Sequence, residues 1–239
     1  MKIIEKIKAK QNDIWNEKSI TLAFLGDSVT QGCFELYKTG EKSFMTEFRV
    51  EQGYHNKLRH ILELCYPQVP FNMIHAGING NNTESGLERL QRDVIDYHPD
   101  LTVVSYGLND CNLGMDYLEI YKENLRGIFS KLKADGGEVI FMTQNLMANK
   151  LSPEITDEYI KECYNKSIAH FSDFLAYMEG AREVAREMDV PICDCTHKWM
   201  TMMDNGVDYI RLLSNRINHP TEEMHWLFAV SLFELIQGM

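Results

Sequence analysis

Short apolar runs rich in β-branched and aromatic residues alternate along this chain with longer stretches whose apolar positions recur at helical spacing. The first run, "SITLAFLG" at residues 19–26, reads as a strand that stops at Gly26. Residues 47–67, "EFRVEQGYHNKLRHILELCYP", then place Leu58, Ile61, Leu62 and Cys65 on one helical stripe, which Pro67 ends. A second strand, "VPFNMIHAG", is followed by a helix over 83–95 whose buried face is Leu87, Leu90, Val94 and Ile95. The third strand, "DLTVVSYG", is too apolar to keep a wet face, which predicts a central position. A helix over 117–132, a turn at Gly136 and Gly137 and a fourth strand, "EVIFMTQ", come next. A long helical stretch over 155–188 leads to a short fifth strand, "VPICDC". The last helix, over 221–236, is announced by Pro220 at its edge and by Glu222 and Glu223 in its first turn. Strands alternating with helices in this way predict crossover units, a parallel sheet and the α/β class. The expectation is one domain over residues 1–239, a three-layer α/β/α sandwich around a central parallel five-stranded sheet, with residues 1–18 as a helical extension.

Open parallel sheets bind ligands beyond the carboxyl ends of their strands, so the residues that follow each strand carry the functional information. After the first three strands come "GDSVTQG", "GINGNNT" and "GLNDCN", and "LLSNRINHPTEEMHW" brings His219 and His225 late in the chain. Converging on one edge, these loops supply what acyl transfer needs: a hydroxyl nucleophile, an imidazole base and donors for an oxyanion. Ser28 is the candidate nucleophile. A serine hydroxyl is inert alone at neutral pH, and imidazole is the side chain whose ordinary pKa suits it to take that proton. His219 is the candidate base, with His225 as a competitor and His75 as a histidine bordering the cleft. The backbone N–H of Ser28, the N–H of Gly80 and the carboxamide of Asn109 are the candidate oxyanion hole. Asp27 and Asp110, next to these residues, read as carboxylates that fix loops by accepting backbone N–H groups.

The blocks "GDS" at Ser28, "GINGNNT" at Gly80, "GLND" at Asn109 and a histidine followed by proline near the C-terminus occur in order, and together the chain from residue 20 to about 235 resembles the SGNH (GDSL-like) hydrolase superfamily. The resemblance implies a flavodoxin-like α/β/α fold and a serine esterase or acylhydrolase that needs no metal or organic cofactor. It extends to carbohydrate esterases that remove acetyl groups from sugars. One departure stands out. The family usually carries Asp three residues before the catalytic histidine, where this chain has Arg216. Asn215 falls near the expected place if one residue is inserted, and an amide oxygen can hold an imidazole tautomer but supplies no charge. Three arrangements stay open: orientation by Asn215, a Ser-His dyad assisted by a backbone carbonyl, or a carboxylate from elsewhere, with Asp194 and Asp208 nearest in sequence.

Composition narrows the partners. The chain has 239 residues, 44% hydrophobic and 25% charged, enough to bury a full core, and its net charge of -11 with no basic run argues against nucleic acid. The lysines of residues 2–10 are interleaved with Glu5 and read as a solvated amphipathic helix. No apolar stretch is long enough to span a bilayer and none reads as a signal core, so the expected location is cytoplasmic. Six scattered cysteines read as thiols, and "CDCTH" lacks the second ligand pair a zinc site wants. The methionines and aromatics of residues 171–203 read as core, with Trp199, Met200 and Met203 as an alternative acyl or sugar platform. Phosphate-binding glycine loops are lacking, and Thr30 stands where the G-x-S-x-G elbow needs glycine. The expected activity is therefore a serine ester hydrolase that removes short acyl groups, acetyl in particular, from a small or carbohydrate substrate through an acyl-enzyme. The alternatives are a lipase, lysophospholipase or thioesterase on longer chains, or a non-catalytic sugar- or acyl-binding protein. A homo-oligomer is left open.

Overall fold

The computed structural model describes residues 1–239. In chain order its elements are α1 (Lys2–Asn12), β1 (Ile20–Gly26), α2 (Ser28–Gln31), β2 (Cys33–Gly40), β3 (Ser43–Phe48), α3 (Tyr54–Cys65), β4 (Phe71–Gly77) and α4 (Thr83–Asp93). They continue with β5 (Leu101–Ser105), α5 (Leu118–Ala134), β6 (Glu138–Met142), α6 (Glu158–Ile168), α7 (Phe171–Glu187), β7 (Ile192–Cys193), α8 (Cys195–Asp204) and α9 (His225–Gln237). The central sheet is parallel, in the order β4-β1-β5-β6-β7. Counted over its own five strands this is the order 2-1-3-4-5, the flavodoxin-like arrangement, whose switch point lies between β1 and β5. Phe24 of β1 stands opposite His75 on one side and Val103 on the other. Every residue of β5 is buried, as its unbroken apolar run required. Helices α1, α3 and α9 pack together, and α4, α5 and α7 form the second helical group.

Four elements depart from the sequence expectation, each for a local reason. The α-helix begins only at Tyr54, because β2 and β3 form an antiparallel hairpin, with Leu36 opposite Thr46 and Tyr37 opposite Met45, and a single 3-10 turn over Val50–Gln52 links the hairpin to α3. The stretch over 155–188 is two helices. Asp157 caps the first by accepting from the N–H groups of Tyr159 and Ile160, and the chain breaks at Ala169 and His170, where the imidazole pairs with Asp173 at 2.8 Å. The fifth strand is only two residues long, since Asp194 accepts from the His197 N–H and starts α8 where the strand was expected to continue. The last helix begins at His225 rather than 221, after a turn in which Met224 donates to the Thr221 carbonyl.

The N-terminal helix is more than a solvated extension. Ile3 and Ile7 join the core, and the Glu138 carboxylate at the start of β6 accepts from the N–H groups of Lys2 and Ile3 at 3.0 and 2.6 Å. Those are donors that the first turn of a helix cannot satisfy internally. No helix is long and apolar enough to cross a membrane.

The approach of α2 to β4 is the fold contact that matters most for the site. A Cβ on Gly77 would stand 2.4 Å from the Gln31 nitrogen and 2.6 Å from the Thr30 carbonyl carbon, so α2 seats on β4 only because that side chain is missing. Gly77→Ala should destabilise the protein by about 1–3 kcal/mol in denaturant unfolding, because backbone on both sides must move. A change indistinguishable from zero would show that α2 is free to shift.

Candidate active site

Beyond Gly26 the chain leaves β1, and the Asp27 carboxylate turns it into α2 by accepting from the Val29 N–H at 3.0 Å. The second Asp27 oxygen accepts from Gln144 Nε2 at 2.9 Å, which ties this turn to the segment after β6. Ser28 is the first residue of the turn, so its N–H has no acceptor within the helix. A left-handed glycine, Gly32 at φ +83°, ends the turn and leads directly into the hairpin.

His219 arrives on a tightly bonded loop. Asn215 Oδ1 accepts from the N–H groups of Ile217, Asn218 and His219 at 3.0, 2.9 and 2.9 Å, and Arg216 takes the left-handed conformation at φ +61°. Tyr164 of α6 donates its hydroxyl to the Asn215 carbonyl at 2.6 Å, and Asn145 donates to the Asn218 carbonyl at 2.8 Å. The loop sets the buried imidazole of His219 with Nε2 3.0 Å from Ser28 Oγ and Nδ1 2.9 Å from the carbonyl oxygen of Phe34. A carbonyl only accepts, so Nδ1 carries the hydrogen and Nε2 presents its lone pair to the serine hydroxyl. Burial pulls the His219 pKa down to about 4, against the opposing effects of the Phe34 carbonyl and the Glu35 charge.

The other candidates sort themselves by contact. His225 accepts from the Tyr54 N–H through Nδ1 at 3.0 Å, is wholly buried against Phe34, Tyr54 and Phe228, and makes no bond to Ser28. His75 is exposed on the edge strand β4 and meets the His55 ring edge-on. Asn215 does not touch the His219 ring, because its amide oxygen is spent on three backbone N–H groups; its effect is on the loop. Asp194 is bound by Arg182 at 2.9 Å through both oxygens and by Thr143, and Asp208 lines a surface hollow with Lys150 and Arg211, so neither reaches the imidazole. Trp199 is wholly buried in the core and forms no platform. The two cysteines of "CDCTH" lie with sulfurs 3.8 Å apart in the interior, whereas His197 is exposed on α8.

Two of the candidate oxyanion residues, Gly80 and Asn109, lie on bonded neighbouring loops. Gly80 holds φ +74° in the turn after β4, with open space where a side chain would stand. Asn109, after β5, donates from Nδ2 to the Asn81 carbonyl at 2.8 Å, which seats its carboxamide on the Gly80 turn. Asp110 accepts from the N–H and hydroxyl of Thr83 at 2.9 and 2.6 Å, and so locks the loop after β5 to the start of α4. Burial raises Asp110 to about 6 and Asp27 to about 7, Asp27 being raised further by the Asp110 charge.

Beside His219 lies a cavity of about 250 Å³, walled by Leu36, Phe44 and Thr46 of the hairpin, Tyr164 of α6 and Asn215 and Asn218 of the histidine loop. The hairpin thus supplies both a wall and, at its root, the Phe34 carbonyl. Sequence reasoning missed it, although "CFELYKTGEKSFMTEF" carries the signal, two runs of strand-forming residues around Thr39 and Gly40.

A hydroxyl bonded to a buried imidazole, beside amide donors at the carboxyl edge of a flavodoxin-like sheet, is an arrangement chemically suited to acyl transfer. Residues 24–227 match the model of the GDSL-like lipase/acylhydrolase family, and the chain belongs to that family. An acetylxylan esterase of Geobacillus stearothermophilus is 30% identical over 131 residues, which make up 51% of this chain and 58% of that protein, so the match spans little more than half of the relative's length. The crystal structure of an acetylxylan esterase from the same organism superposes with a TM-score of 0.68 at 21% identity, covering 91% of this chain and 94% of the other. An acetyl xylan esterase called AlAXEase gives 0.67 at 18% identity over 91% and 100%, and LAE5, an alpha/beta hydrolase enzyme from the metagenome of Lake Arreo, Spain, gives 0.69 at 20% over 92% and 97%. Two variants of the Geobacillus esterase, a serine and a histidine each replaced by alanine, are described as catalytic mutants.

The burial of His219 makes a direct prediction. Its imidazole should stay neutral until pH falls to about 4, below which protonation of Nε2 removes the acceptor for the Ser28 hydroxyl. Long-range 1H–15N spectra should show the Nδ1–H tautomer and a midpoint near 4. A midpoint at the ordinary histidine value would contradict a dry imidazole.

Proposed function

We propose that this protein is a serine ester hydrolase that removes short acyl groups, acetyl above all, from a small or carbohydrate alcohol. The observation that carries the proposal is the line Ser28 Oγ to His219 Nε2 at 3.0 Å and His219 Nδ1 to the Phe34 carbonyl at 2.9 Å. Ser28 Oγ attacks the acyl carbon while its proton passes to His219 Nε2. The oxyanion that forms is held by the N–H groups of Ser28 and Gly80 and by the Asn109 carboxamide. Collapse breaks the ester bond, and His219 returns the proton to the departing alcohol. Water then attacks the acyl-enzyme by the same route in reverse. The imidazolium formed on the way is stabilised by the Phe34 carbonyl dipole and the Glu35 charge rather than by an abutting carboxylate.

The size of the cavity supports a short acyl group. At about 250 Å³ it is smaller than the pockets that enclose drug-sized ligands. The carboxamides of Asn79 and Asn218 in its wall suit a polar alcohol, and the acetylxylan esterases that the chain resembles point the same way.

With p-nitrophenyl acetate, Ser28→Ala and His219→Ala should each lower kcat by at least about 10³-fold. Turnover should fall along a series from acetate to palmitate. An unchanged rate in Ser28→Ala would defeat the proposal, and faster turnover of palmitate would convert it into a long-chain lipase. Asn215→Asp should leave kcat within about threefold, since the new carboxylate keeps accepting the same three N–H groups and still does not touch the ring. A large rise in kcat would mean that residue 215 does reach the imidazole.

A further inference from the structure

Arg89 lies on the inner face of α4 and is 8% exposed. Its guanidinium donates to four acceptors: Nε to Asn81 Oδ1 at 2.8 Å, Nη1 to Asp93 Oδ2 at 3.1 Å, and Nη2 to both the Gly26 carbonyl at 3.1 Å and the Tyr106 hydroxyl at 2.9 Å. Only Asp93 among these is charged, so ion pairing leaves three of the four contacts unexplained.

The three neutral acceptors share a feature. Gly26 ends β1 two residues before Ser28, Asn81 follows Gly80 in the turn after β4, and Tyr106 follows β5 three residues before Asn109. One rigid cation therefore spans the three loops that carry the three candidate oxyanion donors. The link to Asn109 is closed a second time, since the Asn81 residue that accepts from Arg89 through its side chain accepts from Asn109 through its carbonyl. The helix is also shaped for this contact. A Cβ on Gly86 would stand 2.5 Å from the Tyr106 hydroxyl, so the phenol reaches Arg89 only past a residue without a side chain.

We propose that Arg89 is a positioning residue that sets the spacing of the oxyanion donors, with Asn81 as the relay between them; this rests on the ester-hydrolase reading above. Oxyanion stabilisation depends on donors held in place before charge develops, so loosening their spacing lowers transition-state binding while ground-state binding is retained. Arginine is suited to this because its planar fork fixes several acceptors at once, whereas an ammonium acts as a point charge.

The test measures kcat, KM and the inhibition constant of phenylboronic acid for Arg89→Gln, Arg89→Lys, Asn81→Ala and Ser28→Ala. Boron mimics the tetrahedral adduct by accepting a bond from Ser28 Oγ while the hydroxyl proton passes to His219. Arg89→Gln and Asn81→Ala should each lower kcat by about 10- to 100-fold, weaken the boronate in parallel and leave KM within about threefold. Arg89→Lys should not restore the rate. The proposal is overturned if Arg89→Gln loses thermal stability but keeps wild-type kcat and boronate affinity while Ser28→Ala is inactive. Should Arg89→Gln fail to fold, Asn81→Ala decides in the same way: parallel losses support the relay, and wild-type kcat overturns it. A Ser28→Ala variant as active as the wild type would instead remove the underlying function.

Discussion

The site depends on a neutral imidazole held out of water between two backbone-anchored partners. His219 has one nitrogen committed to the Phe34 carbonyl and the other facing the Ser28 hydroxyl. Burial removes the protonated state at neutral pH, and the carbonyl, able only to accept, selects the tautomer whose free lone pair points at the Ser28 hydroxyl. The more familiar solution places a carboxylate behind the histidine, which orients the ring and compensates its charge together. Here orientation comes from the hairpin root. Compensation is left to a peptide dipole and to Glu35, whose carboxylate is in turn paired with Arg49 at 2.5 Å. In the proposed mechanism such an imidazole is ready to accept a proton, and its conjugate acid is comparatively costly to form.

Three segments far apart in sequence must agree on that position, and the fold secures each by backbone hydrogen bonds. Asp27 holds the Ser28 turn, Asn215 the His219 loop and Asp110 the loop after β5. Two of these anchors are carboxylates whose pKa values burial lifts to about 7 and about 6. Ionising them adds negative charge to the loops that carry Ser28 and Asn109, so under the proposed mechanism the residues that shape the loops would also set the electrostatic background of the reaction. The flavodoxin-like strand order does the rest, since it brings the ends of β1, β4 and β5 side by side.

Sequence reading recovered the parts of this design that side chains encode. The strands of the sheet follow from apolar runs, and Ser28, Gly80 and Asn109 follow from their place just after those strands. His219 is preferred because a proline follows it, as in the family pattern, and His225 reads as a packed residue of the last helix; the structure puts His219 against Ser28 and gives the Nδ1 of His225 to the Tyr54 N–H. A backbone carbonyl behind the imidazole was among the open arrangements, but which carbonyl was beyond reach. A carbonyl has no residue type to recognise, and Phe34 acquires its role only because β2 and β3 turn back over the cleft. The hairpin was hidden for a related reason: most of its side chains are exposed, so the burial pattern that marks sheet strands is nearly lost. Asn215 was noticed at the right place for a different contact, since the loop geometry that consumes its oxygen depends on the left-handed Arg216.

The central claim is that the Ser28 hydroxyl, activated by the buried imidazole, forms a bond to the acyl carbon. The most direct measurement is acid quench of the protein during turnover of an acetyl ester, followed by peptide mass analysis. The account predicts one acetyl group, on the peptide that contains Ser28, absent when His219 is replaced by alanine. Acetyl on another residue, or turnover with no acetylated peptide at any quench time, would contradict it.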